Sequence, residues 1–164
     1  MRAKCNLYRW HRQGKYILFY DLRLINYKYL YIYKFMNMGA IIWLMLHTFA
    51  EKIKPDVYIS KKEEIIDFIK KLYYKLHCKI CSSDSLNYLY NYSNSLNTQT
   101  DFKMYLYNFH LHVNKKLHKK FFSVEQLKIY ENTKTKNIFD LYISTIKPEQ
   151  EIRDFLTLNI DWFN

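Results

Sequence analysis

The scarcity of glycine is the feature that most constrains what this chain can fold into. Its 164 residues include two glycines, Gly14 and Gly39, where average usage would give roughly eleven. The glycine-rich turn of a dinucleotide-binding βαβ unit, the P-loop and the G-x-S-x-G nucleophile elbow all need glycines at close, fixed spacings. Two glycines at positions 14 and 39 cannot provide any of these spacings, so these loop-based sites are excluded.

The basic charge of the chain is concentrated at its beginning. Residues 1–35 hold eight Lys and Arg residues against the single Asp21, whereas residues 36–164 hold 18 against 14 acidic residues. The overall net charge of +11 would suit nucleic acid or an anionic membrane. The abundance of Tyr (17) and Phe (11) is interpreted mainly as a reflection of an AT-rich genome.

Residues 1–35 are predicted to form a basic, aromatic N-terminal extension. They do not resemble a secretory signal and cannot span a bilayer, because Asp21, Arg23 and Lys28 interrupt the apolar run. A mitochondrial presequence, an arm that contacts a membrane surface, and a dispensable extension before a true start at Met36 or Met38 remain open alternatives.

From Gly39 onward the hydrophobic periodicity is helical. Apolar residues at i, i+3, i+4 and i+7 predict a first helix with one shared face, which carries Trp43, Leu46, His47 and Ala50. Ser60 and Glu63 predict a capping box that opens a second helix. The buried stripe of that helix is predicted to contain Ile65, Ile66, Phe68, Ile69, Leu72, Tyr73 and Leu76.

The second half of the chain continues this pattern. A short helix is predicted over residues 82–92, a polar loop follows, and a longer helix is predicted over residues 101–117. Ser123 and Gln126 predict another capping box, which opens a short fifth helix to about Asn132. Residues 133–137 are predicted to be a linker, residues 138–146 a strand or a short helix, and residues 149–162 helical.

The predicted fold class is therefore all-α. We expect a four-helix bundle with a short fifth helix over residues 36–134, a basic aromatic N-terminal extension over residues 1–35, and a short C-terminal extension over residues 135–164.

Cys78 and Cys81 form a C-x-x-C motif between two predicted helices. If Cys78 opens the second of these helices, the helix dipole stabilises its thiolate, as redox-active dithiols require. The same motif would fit half of a zinc site or two core cysteines. Zinc would need two more ligands, and His110 and His112 point roughly 200° apart on a helix, so both cannot reach one metal.

Two pairs of residues at i and i+4 supply further polar and aromatic groups. His110 and Asn114 are stacked on one helix face, with Lys119 just beyond, and a heteroaromatic ligand with a phosphate tail would satisfy all three. Trp43 and His47 form the second pair and would provide another wall of a flat aromatic pocket. Each pair could instead be ordinary core packing.

The order of these motifs resembles the Erv/ALR family of FAD-linked sulfhydryl oxidases, and especially its small virus-encoded members. The resemblance covers residues 36 to about 132. It is carried by G-x3-W-x3-H-x2-A, by C-x-x-C after an amphipathic helix, by H-x-x-V-N-x-x-L-x-K and by S-x-E-x4-Y. These motifs comprise Gly39, Trp43, His47 and Ala50, then Cys78 and Cys81, then His110, Val113, Asn114, Leu117 and Lys119, and finally Ser123, Glu125 and Tyr130.

The resemblance implies a helical bundle that holds FAD without a glycine-rich loop. Gly39 is expected at the start of the helix from which Trp43 and His47 contact the flavin cofactor. The helix of H-x-x-V-N-x-x-L-x-K is expected to bind the adenine and phosphates, with His110, Asn114, Leu117 and Lys119 at the matching positions. Cys81 would lie against the isoalloxazine, and Cys78 would exchange with incoming dithiols.

The chain departs from the family pattern at three positions. Leu111 replaces an Asn, His77 replaces a Pro, and Tyr105 stands for a Trp near the cofactor. Cys5 is the only further cysteine, so it cannot form an internal shuttle disulfide. The resemblance therefore implies that a protein dithiol substrate or a thioredoxin-like redox partner reaches Cys78 directly, with oxygen as the electron acceptor and a homodimer as the assembly.

The expected location is the host cytoplasm or the virion if a virus encodes the chain, and otherwise the cytoplasm. Two alternatives differ from an oxidase. A nucleic-acid-binding module would use residues 1–35 and Lys115, Lys116, Lys119 and Lys120 for phosphates, with tyrosines stacking on bases. A flavin-free dithiol exchange protein is favoured by Leu111, which removes a hydrogen-bonding amide.

Overall fold

The computed structural model describes residues 38–164, which form helices joined by short loops. The α-helices are α1 (Met38–Lys52), α2 (Pro55–Ser60), α3 (Lys62–Tyr74), α4 (Lys79–Tyr92), α5 (Gln99–Lys116), α6 (Thr135–Ile146) and α7 (Gln150–Leu158). Three 3-10 helices span Ser93–Ser95, Val124–Asn132 and Ile160–Trp162. The predicted all-α fold is confirmed, whereas the extension predicted over residues 1–35, with Cys5 and Gly14, lies outside the described residues.

Helix α1 lies at the centre of the packing. It contacts α5, the 3-10 helix Val124–Asn132 and α6, so it is buried on more than the one face that the sequence predicted. On the predicted face, Leu46, His47 and Ala50 are buried as expected, and Trp43 is half-buried. Met45 and Phe49, which lie outside the predicted face, are fully buried as well.

The C-terminal residues 135–164 pack on the same core as the preceding helices. The rings of Phe139 and Phe163 lie 6.2 and 4.9 Å from that of Phe49, and Phe155 stacks on Phe68 at 4.0 Å. An isolated antiparallel bridge joins Ile53 to Phe163, and no strand is present between residues 38 and 164. The aromatic side chains of this segment therefore form part of the core.

The helix boundaries correct the sequence predictions at two places. Ser60 ends α2 and its hydroxyl donates to the carbonyl of Val57 at 3.2 Å, so the predicted capping box with Glu63 is wrong. Pro55 starts a separate short helix that ends at Ser60. The predicted linker 133–137 is also wrong from Thr135 onward, because α6 begins there and buries Ile138 and Phe139.

Other local features agree with the sequence or extend it. The carboxamide oxygen of Gln126 accepts from the backbone N–H of Ser123 at 2.8 Å, as predicted, although the helix that follows is 3-10 rather than α. A capping box between Thr98 and Asp101 opens α5. No helix between residues 38 and 164 combines the length and apolar composition that crossing a bilayer requires.

We predict that Phe49→Ala lowers the free energy of unfolding by about 3–5 kcal/mol, because the substitution leaves a cavity where α1 meets the C-terminal helices. Urea denaturation measures this loss. Phe121→Ala is the matched control, since Phe121 is 63% exposed, and it should change stability by less than about 0.5 kcal/mol. Equal effects of the two substitutions would contradict the central position of Phe49.

Candidate active site

Cys78 and Cys81 are joined by a disulfide at the junction between α3 and α4, with their Cα atoms 5.1 Å apart. Helix α3 ends at Tyr74, and Cys78 is the N-cap residue of α4. Cys78 thus opens this helix, which meets the condition set from the sequence, whereas the predicted start at residue 82 is wrong because α4 begins at Lys79. The two-residue spacing places both sulfurs within one turn, as a reversible C-x-x-C disulfide requires.

The N-terminus of α4 distinguishes the two sulfurs. The Sγ of Cys78 accepts a hydrogen bond from the backbone N–H of Cys81 at 3.2 Å. Unpaired N–H groups and the positive end of the helix dipole favour a thiolate over a thiol at this position. Cys78 is 3% exposed, whereas Cys81 is half-buried.

A cleft of about 750 Å³ lies beside Cys81, between α1, α3, α4 and α5. We call it the dithiol cleft. Four residues that the sequence assigned to the site line it, namely Gly39, Trp43, Cys81 and Leu117. The rest of its apolar and aromatic wall consists of Ile42, Leu46, Tyr73, Leu76, Phe109 and Val113.

Two histidines and a tryptophan form a stacked group next to the dithiol cleft. The ring of Trp43 lies parallel to that of His110, with centroids 4.0 Å apart. The Nε2 atom of His47 and the Nδ1 atom of His110 are 3.0 Å apart, so one ring donates to the other. Burial lowers the pKa of His47 to about 3, which keeps this imidazole neutral at physiological pH.

Asn114 and Lys119 lie at the C-terminal end of α5, one turn beyond His110. Asn114 is buried, and its backbone carbonyl accepts from the N–H of Lys119 at 2.9 Å. This bond folds residues 117–119 back toward the helix end. Burial lowers the pKa of Lys119, which is half-buried. The structure thus brings the backbones of Asn114 and Lys119 together at the end of α5.

Tyr105 lies in the core rather than in the wall of the dithiol cleft. Its hydroxyl donates to that of Tyr73 at 3.4 Å, and its ring is 5.6 Å from that of Tyr88. Burial raises the pKa of both Tyr73 and Tyr105. Tyr73 is the member of this pair that lines the cleft, so Tyr105 contacts the site through Tyr73.

Sequence reasoning did not assign Tyr73 and Asp84 to the site, although both line the dithiol cleft. Tyr73 was predicted only as part of the buried stripe of α3. Asp84 lies one turn after Cys81, and its carboxylate is paired with Lys116 of α5 and lies 3.7 Å from the Nε2 of His112. The spacing of three residues between Cys81 and Asp84 could have indicated that both lie on one face of a helix. Lys116, the ion-pair partner of Asp84, is 32 residues away in the chain, so this pairing could not be predicted.

The dithiol cleft fits a flat aromatic ring system better than it fits a metal ion. Its wall is aromatic and apolar, with Cys81 on one side and polar groups confined to Asp84, Ser85 and Lys116. Lys116 is paired with Asp84, and Lys119 is not part of the cleft wall. Between residues 38 and 164, no three His, Cys, Asp or Glu side chains are grouped in a way that would hold a metal. The residues present therefore suit a flavin.

Comparison with known proteins agrees with this geometry. A family model described as the Erv1 / Alr family matches residues 40–134. Over 104 residues, the chain is 32% identical to the FAD-linked sulfhydryl oxidase of African swine fever virus isolate Pig/Kenya/KEN-50/1950. These residues make up 63% of this chain and 87% of the relative. No solved structure matches the chain.

A second isolate of the same virus provides a similar match. The FAD-linked sulfhydryl oxidase of isolate Tick/Malawi/Lil 20-1/1983 is 31% identical over 99 residues, which is 60% of this chain and 83% of the relative. The chain therefore spans most of the length of these viral relatives. The family match includes both cysteines and every residue that the sequence assigned to the site except Gly39.

We predict that the buried His47 makes the protein sensitive to acid. Burial lowers its pKa from 6.5 to about 3, so between these values the unfolded chain binds a proton that the folded chain does not. The free energy of unfolding should therefore fall as pH falls from 6.5 toward 3, by about 1.4 kcal/mol per pH unit from this group. His47→Gln should flatten this dependence.

Urea denaturation at pH 7, 6, 5 and 4 measures the dependence. His118→Asn is the control, because His118 is exposed and Asn tolerates its positive φ of 53°. The control should keep the wild-type slope. A slope that His47→Gln leaves unchanged would show that the acid sensitivity arises elsewhere.

Proposed function

The chain belongs to the Erv1/Alr family and is a sulfhydryl oxidase that uses FAD; we propose that the Cys78–Cys81 disulfide is its redox centre and forms disulfide bonds in protein substrates. One observation carries this proposal. Cys78 caps α4 while Cys81, its disulfide partner, lines the dithiol cleft beside Trp43. The two sulfurs are thus placed for different tasks.

The first task is exchange with the substrate. A substrate thiolate attacks the Sγ of Cys78, the Cys78–Cys81 bond breaks, and Cys81 leaves as a thiolate. A second substrate thiolate then attacks the mixed disulfide, and Cys78 leaves. The substrate loses two electrons and two protons as its disulfide forms, and the Cys78–Cys81 pair gains both electrons. The N-terminus of α4 favours the departure of Cys78 as a thiolate.

Access to Cys78 requires local movement. Its side chain is 3% exposed, so the turn between Tyr74 and Cys78 must shift before a substrate sulfur can approach in line. His77, the residue before Cys78, is exposed.

The second task would take place in the dithiol cleft. FAD bound there would supply the redox chemistry, accepting the electron pair of the dithiol and passing it to oxygen with hydrogen peroxide as the product. Cys81 presents its sulfur at the wall, while Trp43, Tyr73 and Phe109 exclude water from that side. His110, Asn114 and Lys119 would hold the nucleotide end, as the resemblance implies, and Gly39 lets the ring approach the start of α1.

The partners and location follow from the same family membership. We propose a protein dithiol or a thioredoxin-like protein as the electron donor, because the described residues contain no second cysteine pair. A homodimer is the proposed assembly, and the host cytoplasm or the virion is the proposed location. Residues 36–134 are the proposed oxidase domain, with residues 1–35 and 135–164 as extensions and membrane contact as one role for the first.

We predict that Cys81→Ala abolishes oxygen consumption with dithiothreitol while the purified protein stays yellow. The substitution removes the sulfur that faces the cleft but leaves the aromatic wall intact. An oxygen electrode and a visible absorption spectrum measure the two properties. Cys5→Ser is the matched control and should retain both.

Either of two results would contradict the proposed redox centre. The first is full thiol oxidation by the Cys81→Ala protein. The second is a colourless wild-type protein with full helicity by circular dichroism, because such a protein would fold without holding a flavin.

A further inference from the structure

A second groove, of about 660 Å³, lies next to the dithiol cleft. Ile42 and Leu76 line both cavities, and His77 lines the second one only. We call it the C-terminal groove, because its other side is formed by α6, α7 and the turn between them. That side comprises Tyr142, Ile146, Lys147, Pro148, Glu149 and Ile152.

The C-terminal groove is adjacent to the sulfur that we propose for exchange. His77 in its wall is bonded directly to Cys78, which is 3% exposed. A protein that enters the groove therefore contacts the turn that must move to uncover Cys78. The dithiol cleft, in contrast, is lined by Cys81. The disulfide thus connects a residue beside one cavity to a residue in the wall of the other.

Half of the groove is built by residues beyond the family match, which ends at residue 134. Helix α6 begins at Thr135 and packs closely against α1. Two ion pairs then join α3 to the start of α7, namely Lys75 to Glu149 at 2.8 Å and Lys71 to Glu151 at 2.6 Å. The C-terminal helices are therefore held against the dithiol side of the bundle.

The charges at the mouth of the groove are unequal. Glu149 and Glu151 are already paired with lysines of α3. Lys147 is exposed, has a left-handed backbone with φ 53° and ψ 55°, and has no ion-pair partner among residues 38–164. Lys147 is thus a cation without an ion-pair partner among the described residues, at a groove whose walls are mainly apolar.

We propose that the C-terminal groove binds the segment of the protein substrate that flanks its reactive cysteine. It selects segments in which an apolar side chain fills the groove and a neighbouring carboxylate pairs with Lys147. Charge complementarity fixes the acidic preference, since the carboxylates of the groove are already neutralised. This inference rests on the proposed function and adds to it the class of substrate.

Two dithiol peptides that differ only in the charge beside a leucine, Asp in one and Lys in the other, test the proposal on the full-length flavoprotein. The ratio of their kcat/KM values is measured for each protein, and dithiothreitol oxidation is recorded alongside. The wild type should oxidise the acidic peptide about three- to fivefold more efficiently, as expected for one exposed ion pair. Lys147→Glu should invert this preference.

Two further variants separate a specific groove from a general charge effect. Lys136→Glu reverses an exposed charge on the same helix, and it should leave the peptide ratio at the wild-type value. Ile146→Trp fills the groove and should raise the KM of both peptides several-fold relative to dithiothreitol.

The outcomes distinguish this inference from the proposed function. Failure of the wild-type protein to oxidise dithiothreitol would overturn the proposed function itself. Dithiothreitol oxidation with a peptide ratio near one, or with a ratio that Lys147→Glu leaves unchanged, would overturn the assignment of the groove while the oxidase function stands.

Discussion

The burial of α1 on several sides is the constraint on which the rest of the structure depends. Toward α5 the helix presents Trp43, whose ring stacks on that of His110, and His47, which shares a hydrogen bond with His110. Toward the C-terminal helices it presents Phe49, which is fully buried among aromatic rings. Ile42 lines both cavities. One helix therefore fixes the positions of the dithiol cleft and the C-terminal groove, the proposed cofactor and substrate sites, relative to each other.

The shortage of glycine shapes how such a chain can hold a nucleotide. A glycine-rich loop binds phosphates through backbone N–H groups, and this chain has no such loop. We propose that side chains provide the recognition instead, namely the stacked rings of α1 and α5, the buried Asn114 and Lys119. Gly39 lines the wall of the dithiol cleft at the start of α1.

Sequence reasoning located the chemistry of the site better than its surroundings. The C-x-x-C motif and the long helix predicted over residues 101–117 follow from local spacing, and the structure agrees with both to within two residues. The capping box at Ser60 failed because Pro55 starts a competing short helix. Residues 138–146 could not be assigned from periodicity, since their helical state depends on the packing of Phe139 and its neighbours against α1. The pairing of Asp84 with Lys116 and the C-terminal groove arise from contacts between distant segments, which no local pattern encodes.

The central claim is that electrons pass from the Cys78–Cys81 pair to a flavin bound in the dithiol cleft. Anaerobic addition of dithiothreitol to the purified protein, followed by visible absorption, tests this claim most directly. The account predicts that the yellow flavin absorbance is bleached in the wild-type protein, persists in Cys81→Ala under the same conditions, and returns in the wild type when oxygen is admitted. A flavin that stays oxidised in the wild type with excess dithiol, or one that is bleached equally fast without Cys81, would contradict it.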